Sequence, residues 1–249
     1  MISIRGLTKR YGAATALSNL NLEIPEGERF GLVGPNGAGK TTTLKILATL
    51  LRPTSGSAHI AEHSVADTPD VIKRLVGYVP DTPALYEKLT GAEFLRFISD
   101  VRQLRDVRRV RLLLDLLMLD EVADDLVETY SHGMRKRLGI AAALLHRPRV
   151  LLLDEPTGGL DPAAAGLVKD ILGELPDQGA TVLLCSHELG LVQQTCDRVG
   201  IVHRGALAAV GSPDELCAEF NGASLEDVFL DVTEARVKRS VSGIWEDAE

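Results

Sequence analysis

The stretch Gly34-Pro35-Asn36-Gly37-Ala38-Gly39-Lys40-Thr41-Thr42 constrains the fold of this chain more than any other. A glycine, four free positions, then glycine, lysine and a hydroxyl residue stand between a strand-like run, Arg29-Phe30-Gly31-Leu32-Val33, and a helix-like run from Thr42 to Leu51. Glycines let such a loop wrap round phosphates with successive backbone N–H groups pointing inward, and the helix that follows adds the positive end of its dipole. Lys40 is placed to reach the β- and γ-phosphates of a nucleotide, and the Thr41 hydroxyl to hold Mg²⁺. A ligand-free glycine-rich turn is the bland alternative; the complete pattern in a strand-to-helix setting favours the phosphate cradle.

The surrounding chain is long enough to surround this loop with a substantial core. Its 249 residues suit one large α/β domain or a core with a subdomain, and 45% apolar with 25% charged residues is a globular composition. A net charge of -8 argues against non-specific nucleic-acid binding, and no nucleic-acid partner is expected. Cys185, Cys196 and Cys217 form an odd set without metal-ligand spacing and read as reduced thiols of a cytosolic protein. Met1-Ile2-Ser3-Ile4-Arg5 lacks the layout of a signal peptide, and no apolar run approaches the ~20 residues of a membrane span. The chain is therefore expected to be soluble, and to reach a membrane only through a partner.

In chain order, Ile2 to Arg5 and Thr15 to Ile24 read as strands on either side of a turn at Tyr11-Gly12. Two roles are open to the Tyr11 ring, packing in the core or stacking on an adenine, and the core role is the commoner one. Arg52-Pro53-Thr54-Ser55-Gly56-Ser57 stops the helix after the phosphate loop, and strands are expected near Ala58 to Ala61 and from Leu75 to Pro80, with Asp81 at the mouth of the latter. From about Leu85 to Arg149 the pattern is helical throughout. Thr90-Gly91-Ala92-Glu93 has capping-box spacing, and Val110, Leu113, Leu114, Leu117 and Met118 recur at helical spacing. This stretch reads as a helical subdomain inserted in an α/β core. Arg102, Arg105, Arg108, Arg109 and Arg111 read as a solvated helix face in preference to an anionic-partner site. Ser131-His132-Gly133-Met134-Arg135 opens an alanine- and leucine-rich helix, with Ser131 as its N-cap and its N-terminus available to an anion.

The apolar runs Val150 to Leu153 and Thr181 to Cys185 are expected as parallel strands covered on both faces. The first ends in Asp154-Glu155-Pro156 and the second in Ser186-His187-Glu188, at the crevice where open α/β sheets bind ligands. Gly158-Gly159-Leu160-Asp161-Pro162 is a loop before a helix to about Leu175, and Val199 to Val202 with Leu207 to Val210 is a hairpin about Arg204-Gly205. Asp81, Asp154, Glu155 and His187 thus converge on the phosphate loop. Asp154 is the candidate Mg²⁺ ligand, Glu155 the candidate general base for water attacking a γ-phosphate, and His187 a group that senses or polarises that phosphate. Each has a bland alternative, a turn cap, a surface acid and a core histidine, which becomes less attractive when all stand at strand ends.

The order and spacing of these motifs resemble the ATP-binding subunit of an ATP-binding cassette (ABC) transporter over nearly the whole chain. The phosphate loop, Ser131-His132-Gly133-Met134-Arg135, Leu151 to Pro156, Gly159-Leu160-Asp161 and Ser186-His187 carry the resemblance, the Ser131 segment most specifically. It implies a P-loop NTPase (RecA-like) α/β core, residues 1–84 and 150–210, with an N-terminal antiparallel β subdomain and an inserted α-helical subdomain at 85–149. A small helical appendage at 211–249 follows and ends in the charged tail Glu246-Asp247-Ala248-Glu249. The resemblance moves Tyr11 to adenine stacking. It implies an ATPase using ATP and Mg²⁺, a head-to-tail pair, most simply a homodimer, in which Ser131 and Gly133 of one subunit close on the γ-phosphate held by the other, and a transmembrane permease docked on roughly Thr82 to Leu95. Asp81 stands where the family usually has a glutamine that touches the metal and the attacking water, and as a shorter, charged group it is carried over as a candidate catalytic residue and as a metal ligand through water; His132 and Met134 replace the signature's usual glycine and glutamine. Ser224-Leu225-Glu226-Asp227-Val228-Phe229-Leu230 is similar to a motif of the exporters of drugs, polysaccharides, lipids or sodium, and is in its own right an amphipathic helix. A non-transport ATPase of translation or DNA repair is the rival; such relatives carry two cassettes or a long coiled-coil insertion, and this chain has neither.

Overall fold

A run such as Val150 to Leu153, apolar at every position, is stable as a strand only if both of its faces are covered. The computed structural model describes residues 1–104 and 106–234. In chain order it has β1 (Ile2–Tyr11), β2 (Ala14–Ile24), β3 (Arg29–Val33), α1 (Lys40–Leu47), β4 (Ser55–Ile60), β5 (His63–Ser64), α2 (Pro69–Leu75) and β6 (Val76–Val79). Then follow α3 (Gly91–Val101), α4 (Val107–Leu116), α5 (His132–Leu144), β7 (Val150–Asp154), α6 (Pro162–Glu174), β8 (Thr181–Cys185), α7 (Leu189–Thr195), β9 (Arg198–His203), β10 (Ala206–Gly211), α8 (Pro213–Glu219) and α9 (Leu225–Val232).

Among the described residues the strands make two sheets. One is antiparallel, in the order β2-β1-β4-β5; the other runs β10-β9-β3-β8-β7-β6 and is parallel from β9 to β6. Alternate residues of the parallel strands enter different cores. Leu151, Leu153, Val182 and Leu184 pack with α3 to α7 and α9, whereas Val150, Leu152, Leu183 and Cys185 pack with α1, α2 and the antiparallel sheet. The apolar residues of α3, α4 and α5 are continuous with the first of these cores.

Local chemistry fixes the ends of the elements. Thr90 and Glu93 cap α3 reciprocally, with Glu93 N–H donating to Thr90 Oγ1 at 3.1 Å and Thr90 N–H to Glu93 Oε2 at 2.9 Å. Arg204 and Gly205 both have positive φ, 50° and 81°, as a two-residue hairpin loop between right-twisted strands requires. Ser224 caps α9, whose Leu225 and Val228 are fully buried, so the acidic-apolar segment is a docked amphipathic helix.

Several expectations are corrected. β1 continues to Tyr11 instead of stopping at Arg5; its register shifts between Ile4 and Leu7, about Gly6 at φ 59°, and this bulge breaks the alternation by which a strand is read. α1 begins at Lys40 and ends at Leu47, because Gly39 turns the chain directly into the helix and Thr49, at φ 63°, turns it out. Helix α4 stops at Leu116, and Met118 lies beyond it at φ 54°. The arginine run is not a uniform solvated face. Arg102 donates to Lys73 O at 3.0 Å, and Arg109 spans the C-terminal end of α5, donating to Leu144 O and Leu145 O at 2.7 Å each. Arg108 and Arg111 are exposed; Arg105, like the tail Glu246 to Glu249, lies outside the described residues. Tyr11 is 48% exposed beneath the Lys9 ammonium, 5.1 Å from its ring centroid, so the core role is excluded.

Helix α5 and β6 meet almost backbone to backbone. A Cβ at Gly77 would lie 2.6 Å from Ala143 O, so Gly77→Ala is expected to destabilise by about 1–3 kcal/mol in urea unfolding. Just past α5, His146 Nε2 donates to Val76 O at 3.0 Å while Nδ1 is buried without a partner among the described residues. Burial above all, with the nearby Arg102 guanidinium, lowers the His146 pKa to about 4 from 6.5. The unfolded chain therefore binds the extra proton between these values, and stability falls as pH drops through that window. His146→Gln keeps a donor for Val76 and cannot titrate; its melting temperature should fall less between about pH 7 and pH 5 than the parent's, by at least ~2–4 °C.

Candidate active site

The parallel strands β3, β8, β7 and β6 lie side by side in that order, so their carboxyl ends line one edge. From that edge emerge the phosphate loop, Ser186-His187, Asp154-Glu155 and Asp81. A cleft of about 330 Å³ opens here, lined by Ala16, Asn36 to Thr42, Asp81, Asp154 and Glu155.

The phosphate loop is built for close backbone approach. Gly39 has φ 110°, and a Cβ there would stand 2.5 Å from Leu17 Cδ2 and 2.6 Å from Ala16 O, so only glycine carries the chain into α1 under β2. Lys40 is buried, and its Nζ reaches back across the loop to Gly34 O at 2.5 Å and Pro35 O at 3.2 Å. Thr43 Oγ1 donates to Gly39 O at 3.0 Å and locks the first turn of α1.

Opposite the loop, Thr41 Oγ1 donates to Asp154 Oδ2 at 2.7 Å. Burial pushes the Asp154 carboxyl up; the Thr41 bond opposes this, Glu155 and Asp81 push further up, and Lys40 pulls down. This is an environment short of positive charge. A hydroxyl and a carboxylate oxygen side by side, in a cleft with further carboxylates, are the hard oxygen donors that Mg²⁺ takes. Among the described residues no three His, Cys, Asp or Glu side chains form a metal cage.

Glu155 is held from several sides. Its backbone is in the left-handed region, φ 49°, uncommon for a residue with a Cβ, and is fixed there by Glu155 N–H donating to Cys185 O at 2.8 Å and Gly158 N–H donating to Glu155 O at 3.2 Å. Its carboxylate accepts from Ser186 Oγ at 3.0 Å and His187 N–H at 3.3 Å on one oxygen, and meets His187 Nδ1 at 2.8 Å on the other. His187, 67% exposed, therefore touches the cleft through Glu155.

The cleft brings the phosphate loop, Asp81, Asp154 and Glu155 together but not Ser131, Gly133 or Tyr11. Ser131 caps α5, accepting from Met134 N–H at 3.2 Å, and Gly133 faces the loop after β7, with Leu160 Cδ2 and Gly159 O nearest to where its Cβ would be. The residue that sequence reasoning missed is Lys136. Its side chain is wholly buried, and Nζ donates to Glu155 O at 2.7 Å, Gly158 O at 2.9 Å and Asp81 Oδ1 at 3.1 Å. The available signal was a lysine on the buried stripe of α5 with Ile140 and Ala143, at i, i+4 and i+7.

Comparison with known proteins agrees with this geometry. The family described as ABC transporter matches residues 17–158, from the strand beside the phosphate loop to the loop after Glu155. The linearmycin resistance ATP-binding protein LnrL of Bacillus subtilis is 35% identical, over 90% of this chain and 73% of that protein. The daunorubicin/doxorubicin resistance ATP-binding protein DrrA of Streptomyces peucetius is 40% identical, over 86% of this chain and 66% of that protein. Among solved structures, the ATP-binding subunit of an ABC transporter superposes with TM-score 0.88 at 33% identity, covering 94% of this chain and 99% of that one. A dimeric ATP-binding cassette in a post-hydrolysis state, bound to ADP and Pi, gives 0.78 at 26% identity, covering 85% and 98%. The family match runs from β2 through the phosphate loop and the helices between β6 and β7 to the loop after Glu155, and the chain belongs to the ABC transporter family.

Proposed function

We propose that this chain is the Mg²⁺-dependent, ATP-hydrolysing subunit of an ABC exporter, acting as a dimer on separate membrane subunits. The observation that carries the reading is the grip of Ser186 and His187 on the Glu155 carboxylate at the wall of a phosphate cleft. Glu155 is then the general base for the attacking water, and His187 orients it and reaches the γ-phosphate side. Gly34, Pro35 and Ala38 shape the loop, with Ala38 N–H donating to Pro35 O at 3.1 Å, and Asn36, Gly37 and Gly39 offer backbone N–H groups to the phosphates, while Lys40 turns from its loop carbonyls to phosphate oxygens and Thr42 extends the first turn of α1 beneath them. Thr41 and Asp154 hold Mg²⁺, which when bound neutralises phosphate charge. Asp81, already paired with Lys136, contributes from the cleft wall. The exposed Tyr11 ring at the tip of β1 offers an adenine a stacking face.

The exposure of Ser131 and its place outside the chain's own cleft support a shared site, in which Ser131 and Gly133 complete the cleft of a second copy, as does the dimeric form of a structural neighbour. The resistance roles in the names of LnrL and DrrA support drug export. The description of LnrL and DrrA as ATP-binding proteins supports membrane subunits on separate polypeptides, with this chain on their cytoplasmic side; among the described residues no helix is long and apolar enough to cross a membrane. Tyr86 and Phe97, exposed by 59% and 41% with ring centroids 5.2 Å apart, support a permease-facing surface near Thr82 to Leu95.

The purified chain is expected to hydrolyse ATP only with Mg²⁺, with EDTA abolishing turnover, and Glu155→Gln to lower kcat by ~10²–10⁴-fold while retaining ATP binding. Phosphate release that persists undiminished in Glu155→Gln would sink the assignment. Ser131→Arg should leave ATP binding to the monomer within about twofold of the parent but suppress nucleotide-dependent dimerisation and turnover together. A Ser131→Arg protein that turns over normally excludes the shared site.

A further inference from the structure

Lys136 is a buried ammonium whose three N–H donors meet three different pieces of the site. One goes to the carbonyl of Glu155, one to the carbonyl of Gly158 in the loop after β7, and one to the Asp81 carboxylate at the end of β6. A lysine in a wholly buried position is costly unless every donor is matched and the charge is balanced. Asp81 supplies that balance, and its 60% exposure leaves the pair one wet side.

We propose that Lys136 is a positioning residue for hydrolysis, with Asp81 as its counter-ion, and that Asp81 acts through Lys136 and not as a ligand of the metal. This inference rests on the ATPase reading of the cleft. Its first ground is Glu155, whose left-handed backbone is strained and whose carbonyl has two tethers, Lys136 Nζ and the Gly158 N–H. Fixing that carbonyl fixes the peptide from which the carboxylate projects toward Ser186 and His187. The second ground is Gly158, which leads into Gly159 and Leu160; a Cβ on Gly159 would lie 2.7 Å from the His132 ring, and Leu160 faces Gly133. Lys136 therefore ties the candidate base of this chain's cleft to the first turn of the helix this chain offers to a second copy. The third ground is the chemistry at position 81. A carboxylate facing a buried ammonium is matched, whereas an amide there would leave the charge unbalanced.

The test combines a double-mutant cycle with a readout that needs no nucleotide. Lys136→Met keeps the stem and removes all three donors; kcat should fall ~10–100-fold while KM for ATP stays within about threefold. In nucleotide-free protein, amide exchange at Gly158 and Leu160 should become faster. Lys136→Gln returns two donors without the charge and should recover part of kcat, which a defect of volume alone would not allow. If the Met protein does not fold, the Gln protein carries the same comparison. Asp81→Asn should lower kcat about tenfold in the parent background but less than about twofold on top of the Lys136 substitution, without raising the Mg²⁺ requirement. A Lys136 variant within twofold of the parent kcat, or an equal cost of Asp81→Asn in both backgrounds, overturns the proposal. A parent that does not hydrolyse ATP counts instead against the ATPase reading, and the exchange measurement then decides: unchanged protection at Gly158 and Leu160 overturns the positioning role.

Discussion

Burial of both faces of the parallel sheet is the constraint on which the rest depends. Leu151, Leu153, Val182 and Leu184 require helices on one side, and Val150, Leu152, Leu183 and Cys185 require α1, α2 and the antiparallel sheet on the other. Once both faces are closed, polar chemistry has nowhere to go but the strand ends. Parallel direction then places the ends of β3, β8, β7 and β6 along one edge, so groups as distant in sequence as Lys40, Asp81, Asp154 and Glu155 become walls of one cleft. The site is a by-product of the hydrophobic architecture before it is a product of any single residue.

The same constraint decides what the sequence could disclose. Continuous apolar runs announce β7 and β8, and a glycine-rich loop between strand and helix announces the cleft, because each feature is local. The Thr90–Glu93 and Ser131 caps were legible for the same reason, being closed within four residues. What escaped was set by contacts across the chain. The Gly6 bulge hid half of β1, since its register is fixed by β2 and β4, with Gly56 so close that a Cβ there would meet Gly6 O. Arg102 and Arg109 look like surface charges in sequence, and only packing reveals that they satisfy carbonyls of distant elements. Tyr11 is aromatic and so suggests the core, but it sits half-exposed at a hairpin tip with the Lys9 ammonium over its ring.

Electrostatics around the cleft follow a division of labour between two buried lysines. Lys40 spans carbonyls of its own loop, contacts that a phosphate can replace. Lys136 reaches carbonyls of a different segment and a carboxylate of a third, so its contacts hold elements together and are not free to exchange. Burial raises the Asp154 carboxyl, and the neighbouring Glu155 and Asp81 carboxylates add to this, so the cleft wall carries more acid than its own cations offset. A divalent ion held by Thr41 and Asp154 would offset that imbalance.

Coupling between the two ends of the chain's chemistry needs no long path. His132 lies against Gly159, Gly133 against Leu160, and Lys136 binds Gly158, so the first turn of α5 and the loop after β7 touch at successive residues. Glu155 stands at the other end of that loop and is bonded to the same lysine. A displacement of α5 as it meets a second copy would therefore act on Glu155 through a few direct contacts, and a change at Glu155 would act back on α5 through the same contacts. Helix α5 also packs backbone to backbone on β6 at Gly77, which joins the helix closely to the sheet edge. In the proposed shared site these contacts would link hydrolysis in one cleft to the surface that completes another, without requiring any segment between them to fold or unfold.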